Sequence, residues 1–128
     1  MGSWLTASGI SGFLAVALGA FGAHGLRSSL AVVDDGAKRL EWWQTAAHYH
    51  LMHALALVAV ALVIDRVPQA RIAGVAFVIG TLLFSGSLYA MALGAPRVLG
   101  AVTPFGGLGF LVGWATLAWC GVVISRGA

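Results

Sequence analysis

The sequence predicts an all-α membrane protein: four transmembrane helices in a compact bundle, with a short interfacial helical extension before the second span. Three observations carry this. Of 128 residues, 60% are apolar and only 9% are charged, a balance foreign to water-soluble domains. Mean hydropathy is +0.96. Four long stretches contain no Asp, Glu, Lys or Arg, and each is long enough to cross a hydrocarbon core of roughly 30 Å, which takes about 20 apolar residues. A single domain over 1–128 accommodates four such spans and little else.

The spans are expected at 4–26, 44–64, 72–93 and 105–124. No Lys or Arg precedes the first apolar run, and it is longer than the apolar region of a secretory signal, so it is expected to persist as a helix. Between the second and third spans, DRVPQAR combines three charges with Pro68, which cannot donate to a helix ladder and turns its predecessor away from αR geometry. GAPRVLGAVTP separates the third from the fourth; there Thr103 is expected to cap the last helix and Pro104 to occupy its first position. In the connection 27–43, DDGAKRLEWWQ offers Asp34 or Asp35 as an N-cap, so a helix should begin outside the bilayer. Leu40, Trp42 and Trp43 are expected at headgroup level, with Lys38, Arg39 and Glu41 facing water.

An even number of spans puts both termini on one side with Arg66, Arg71 and Arg126, against Arg27, Lys38, Arg39 and Arg97 on the other. Three against four sets no orientation by the positive-inside rule. Scattered in this way, a formal charge of +3 builds no basic patch and argues against a nucleic-acid partner. The single cysteine, Cys120, lies in the last span, where it reads as a small packing residue. Gly19, Gly22 and Gly25, and the pair Gly109 and Gly113, are expected to bring helix backbones close together, as small residues do in lipid. Ser85, Ser87 and Tyr89 in FSGSLY can bond within or between helices. GGLG at 106–109 follows no predicted strand and lacks the Lys-Ser/Thr ending of a phosphate loop.

The richest stretch is EWWQTAAHYHLMHALALVAVALVID, which brings three of the four histidines into a span. At 100° per residue, His50 and His53 share a face, whereas His48 lies with Glu41 and Gln44. A His pair at this spacing, with His24 from an antiparallel neighbour, could ligate Zn or Cu, and a histidine could also be an axial haem ligand. Proton-linked transport or quinone contact is a further reading, with His48 beside Glu41 as the candidate titrating pair. The plainest reading is that neutral imidazoles hydrogen-bond within the bundle. No cofactor is predicted, and metal or haem is the weaker alternative.

ALGAFGAHGL, QTAAHYHLMHALAL, LFSGSLYAMALG and GAVTPFGGLGFLVGW, in this order, resemble the domain-of-unknown-function 423 family of YgdD- and YwdK-like bacterial membrane proteins, which transmembrane protein 256 is similar to. The resemblance covers almost the whole chain. It implies a small multi-pass protein of the bacterial inner (plasma) membrane and no established reaction. It emphasises His24, Gln44, Thr45, Tyr49, His53, Ser85, Gly86, Ser87, Tyr89, Thr103, Pro104, Gly106 and Gly107. It also implies a commoner Gln at the position of His50 and a variable position at His48, which weakens a metal pair at His50 and His53. His24, Tyr49 and His53 become the leading ligand or polar-network candidates, with Gln44, Ser85, Ser87 and Tyr89 as partners.

The leading functional expectation is a non-enzymatic accessory or interaction component, either a homo-oligomer or a subunit of a membrane complex. The alternative is a membrane-embedded protein that binds or transports a small ligand, proton, metal or haem through a His/Tyr/Ser layer. An enzyme ranks last, because no nucleophile–base or acid pair assembles from the sequence.

Overall fold

The computed structural model describes residues 1–127. Four helices are long and apolar enough to cross a membrane. We label them α1 (Gly2–Leu30), α2 (Gly36–Val63), α3 (Ala70–Ala92) and α4 (Thr103–Ser125). A 3₁₀ segment, Arg97–Ala101, leads into α4. The helices sit where the apolar runs predict them, but α1 continues past residue 26 and α2 starts well before the bilayer segment, forming the expected extension.

Two end signals act differently from expectation. Asp35 holds the N-cap position of α2 without a side-chain cap bond; its carboxylate instead lies 3.7 Å from Arg39 and 3.4 Å from Arg97. Thr103 is not the cap of α4 but its first residue, behind Val102. Its hydroxyl is taken by Ser87 at 2.6 Å, a partner on another helix that competes with local capping.

The helices pack as a curved row, α1 on α2, α2 on α3 and α3 on α4, with a lighter contact between α2 and α4. Half of the most apolar window of α2 is buried, against 17% in α1 and in the last span, so α2 is the central element and the outer two face lipid. Because lipid is as apolar as leucine, close packing rather than water exclusion must hold these helices together. Ala56, Leu57, Val60, Ala70, Ala73, Phe77, Phe110 and Cys120 form one buried cluster where α2, α3 and α4 meet. Cys120 thus takes the packing role expected of it.

Glycines set the closest approaches. A side chain at Gly106 would strike the Phe84 backbone and come within 2.8 Å of the Gly80 carbonyl, so α3 and α4 touch backbone to backbone. Gly109 lies against Ala76 and Gly80, and Gly113 beneath the Phe77 ring, as the small-residue pattern predicts. Gly19 faces Ala47 at ordinary contact distance. Gly25 does not serve helix packing: a side chain there would meet only Phe21 of the same helix.

Trp43 packs inside the bundle instead of standing on its surface. It is only 3% exposed; its ring lies over Gly22 and its indole N–H donates to the Leu18 carbonyl at 2.7 Å. The α1 helix widens into a π turn over Gly22–Leu26 at this point, the distortion expected where a side chain enters a helix ladder. The neighbouring Trp42 has its indole beneath the Arg97 guanidinium, 5.3 Å from the ring centroid. Arg39 is likewise not directed to water. Its Nε donates to the Ala92 carbonyl at 2.8 Å and closes the C-terminal end of α3.

Candidate functional site: a polar layer around the second helix

His50 and His53 point to opposite flanks of α2, although helical periodicity gives them a common face. His53, 4% exposed, turns toward α4. Its Nδ1 is 2.7 Å from the Tyr49 carbonyl, which can only accept, and its Nε2 is 3.1 Å from the Trp114 indole nitrogen, which can only donate. These partners fix a neutral ring protonated on Nδ1. The ring stacks on Phe110 with centroids 3.5 Å apart, and Tyr49, Phe77 and Trp114 surround it. This flank of α2 is filled.

The other flank is open. His50 is 7% exposed, with Nδ1 3.1 Å from the Tyr89 hydroxyl and Nε2 3.1 Å from the Ser11 hydroxyl. Hydroxyls both donate and accept, so either neutral tautomer satisfies both contacts. The triad lines a groove of about 410 Å³ between α1 and α3. Ile10, Leu14 and Leu82 form part of its wall and are themselves exposed, at 60%, 47% and 68%. At one end Trp4 of α1 covers Gly74 of α3; over His50 the two helices part.

Serines bond the layer together. Ser85 donates to the Ala46 carbonyl at 2.8 Å and joins α3 to α2. Ser87 donates to Phe84 O at 3.0 Å, so Thr103 is the donor in their 2.6 Å contact, which joins α3 to α4. Ser8 donates to the Ala54 carbonyl at 2.8 Å and joins α1 to α2. Sequence reasoning missed Ser8, Ser11 and Trp114. The signal for the two serines is their i,i+3 spacing on the charge-free first span; Trp114 carries none, since an indole in a span reads as an interfacial anchor.

The structure does not bring His24 to His53. Gly12 lies opposite Ala54, Gly19 opposite Ala47 and Gly22 opposite Trp43, an antiparallel register that offsets the two histidines by roughly 18 Å at 1.5 Å per residue. His24 lies exposed in the π turn, and Gln44 and His48 are exposed as well. Glu41 turns to Lys38 at 3.7 Å rather than to His48. Tyr49 contributes its carbonyl to His53 and its ring to the stack with Phe84 and Phe110. The trio His24, His50 and His53 therefore cannot converge on one metal ion. Among the described residues, no group of three or more His, Cys, Asp or Glu side chains is placed to hold one.

Four apolar helices joined by buried hydroxyl, imidazole and indole contacts define a small multi-pass membrane protein with an internal polar layer. A family model described as "Protein of unknown function (DUF423)" matches residues 18–107. The chain is 47% identical over 117 residues to a UPF0382 membrane protein of Haemophilus influenzae, covering 91% of this chain and 90% of the relative. It is 43% identical over 123 residues to the UPF0382 inner membrane protein YgdD of Escherichia coli, covering 91% and 87%. The UPF0382 membrane protein YwdK of Bacillus subtilis is 43% identical over 108 residues, covering 82% and 84%. The chain belongs to this family, DUF423 or UPF0382. It is a multi-pass protein of the bacterial inner membrane. No solved structure matches it.

Proposed function

We propose that this protein is a non-enzymatic accessory component of the membrane, and that its working surface is the groove between α1 and α3, where an apolar molecule sits beside His50. The observation that carries this reading is the asymmetry of α2. Its His53 flank is closed by stacked aromatic rings, whereas its His50 flank opens into a space of about 410 Å³ whose walls are almost wholly hydrocarbon, with Ser11, His50 and Tyr89 among its lining residues. That volume lies in the roughly 300–1,000 Å³ range of small-molecule sites, and a few polar groups in an apolar cleft are the usual composition of one. Exposed apolar side chains at the rim give an occupant access from the bilayer rather than from water.

Gly86 supplies the test. It lines the groove, and a Cβ there would meet nothing within 4 Å, so Gly86→Leu starts a side chain into the space without a backbone clash. Wild-type protein released from membranes into mild detergent should carry a small apolar molecule in native mass spectra, and Gly86→Leu should lose it. Identical bare masses for both proteins would overturn the reading.

A further inference from the structure

The hydrogen count of the His50 triad identifies a chemical class for the occupant, on the reading that the groove is a binding site. Neutral His50, Ser11 and Tyr89 hold one exchangeable hydrogen each. Their two mutual contacts use two of the three. If His50 donates to Ser11, Tyr89 donates to His50 and the Ser11 hydrogen is left over; in the other tautomer the spare hydrogen is that of Tyr89. Neither hydroxyl makes another hydrogen bond among the described residues. Ser11 and Tyr89 both line the groove, so in every tautomer the spare O–H belongs to a residue of its wall. An unspent donor in an apolar setting costs about 1–3 kcal/mol, and no water is at hand in lipid to satisfy it.

From this we infer that the groove binds a lipid-soluble carbonyl compound of the quinone type, whose oxygen accepts the spare hydrogen of Ser11 or Tyr89 while its hydrocarbon part lies along the walls. A carbonyl accepts without donating, so it closes the count; an alcohol would bring a new unspent hydrogen. Depth separates the two sources of carbonyl in a membrane. Glu41 lies nine residues before His50 and Asp65 fifteen after it. A hydrocarbon core of roughly 30 Å centred between those charges places His50 roughly 10 Å inside its edge. Phospholipid ester carbonyls sit at that edge. A ring carbonyl dissolved in the core reaches the triad.

Decylbenzoquinone and decylbenzene test the assignment, titrated into protein held in nanodiscs of diether phospholipid, which has no ester carbonyl, with empty nanodiscs as the blank. The quinone should bind about tenfold more tightly, equivalent to roughly 1.4 kcal/mol. Ser11→Ala with Tyr89→Phe should abolish that preference while the decyl chain still binds. His50→Gln, which retains a donor and an acceptor, should keep it. Equal binding of the two probes by wild type would overturn the carbonyl assignment and leave groove binding standing. A preference that vanishes on changing to diester phospholipid would identify the ester carbonyl as occupant and also overturn it. Binding of neither probe would remove the groove reading as well.

Discussion

The indole of Trp114 donates to Nε2 of His53 across 3.1 Å and ties the last helix to the central one. Three residues earlier on the central helix, His50 meets two hydroxyls instead. The first histidine therefore has a single allowed hydrogen arrangement and the second has two. That difference sets the two imidazoles apart.

Nitrogen NMR of histidine-labelled protein should show His53 solely as the Nδ1–H tautomer and His50 as an exchanging mixture. Trp114→Phe retains a ring but removes the donor. It should lower stability by about 0.6 kcal/mol, the average measured for hydrogen bonds between membrane helices, and by no more than about 1.7. Unfolding in mixed micelles checks the energy, and release of the His53 tautomer checks the cause.

Trp43 and Gly22 should behave as one unit. A methyl group at Gly22 collides with the indole that fills its place, and overpacking of this kind costs typically about 1–3 kcal/mol. Gly22→Ala should be destabilising in the wild-type background and nearly neutral in Trp43→Ala, where the ring is gone. A double-mutant cycle with a coupling energy near zero would show that the two side chains are independent.

These pairings mark how far the sequence could be read. Four charge-free runs and proline-bearing turns place the helices, since hydrocarbon thickness fixes their length. Gly109 and Gly113 were legible as packing residues because lipid leaves small side chains as the main route to close approach. Trp43 was not, because the rule for indoles describes a helix in isolation and Gly22 supplies a recess from another helix. His24 resembled a companion of His53 because both lie on antiparallel neighbours. The register that sets them apart is fixed by Ser8, Leu18 and Gly22, three contacts with no local signature in α2. Helical periodicity likewise placed His50 and His53 on one arc, but a 60° separation suffices on a central helix to direct them toward different neighbours.

The offset of His24 bears on metal binding. With Nδ1 and Nε2 of His53 both occupied by protein partners, a bound ion would have to displace the Trp114 indole to reach Nε2, the one ring nitrogen with a free lone pair to give. Purified protein should contain sub-stoichiometric Zn and Cu, and a chelator should leave its melting temperature unchanged. His24→Ala should have the same small effect with and without added Zn. A melting temperature that rises with Zn and falls again on His24→Ala would mean that the helices adopt a register different from the one described.

Gly106 and Gly86 provide the sharpest comparison of packing, since both are helical glycines and differ in what surrounds them. A methyl at Gly106 meets the backbone of Phe84 and the carbonyl of Gly80, atoms that cannot swing aside, so α3 and α4 must separate to admit it. A methyl at Gly86 meets nothing within 4 Å. Alanine is favoured over glycine in a helix by up to about 1 kcal/mol. Gly86→Ala should therefore be neutral or slightly stabilising, whereas Gly106→Ala should lose about 1–3 kcal/mol through overpacking. The parting of α3 from α4 should also lengthen the contact between Ser87 and Thr103, which bridges the same pair of helices. Thr103→Val should consequently cost less in the Gly106→Ala background than in wild type. Equal costs in the two backgrounds would show that the hydroxyl contact survives the displacement, and that the glycine approach does not set the spacing of the two helices.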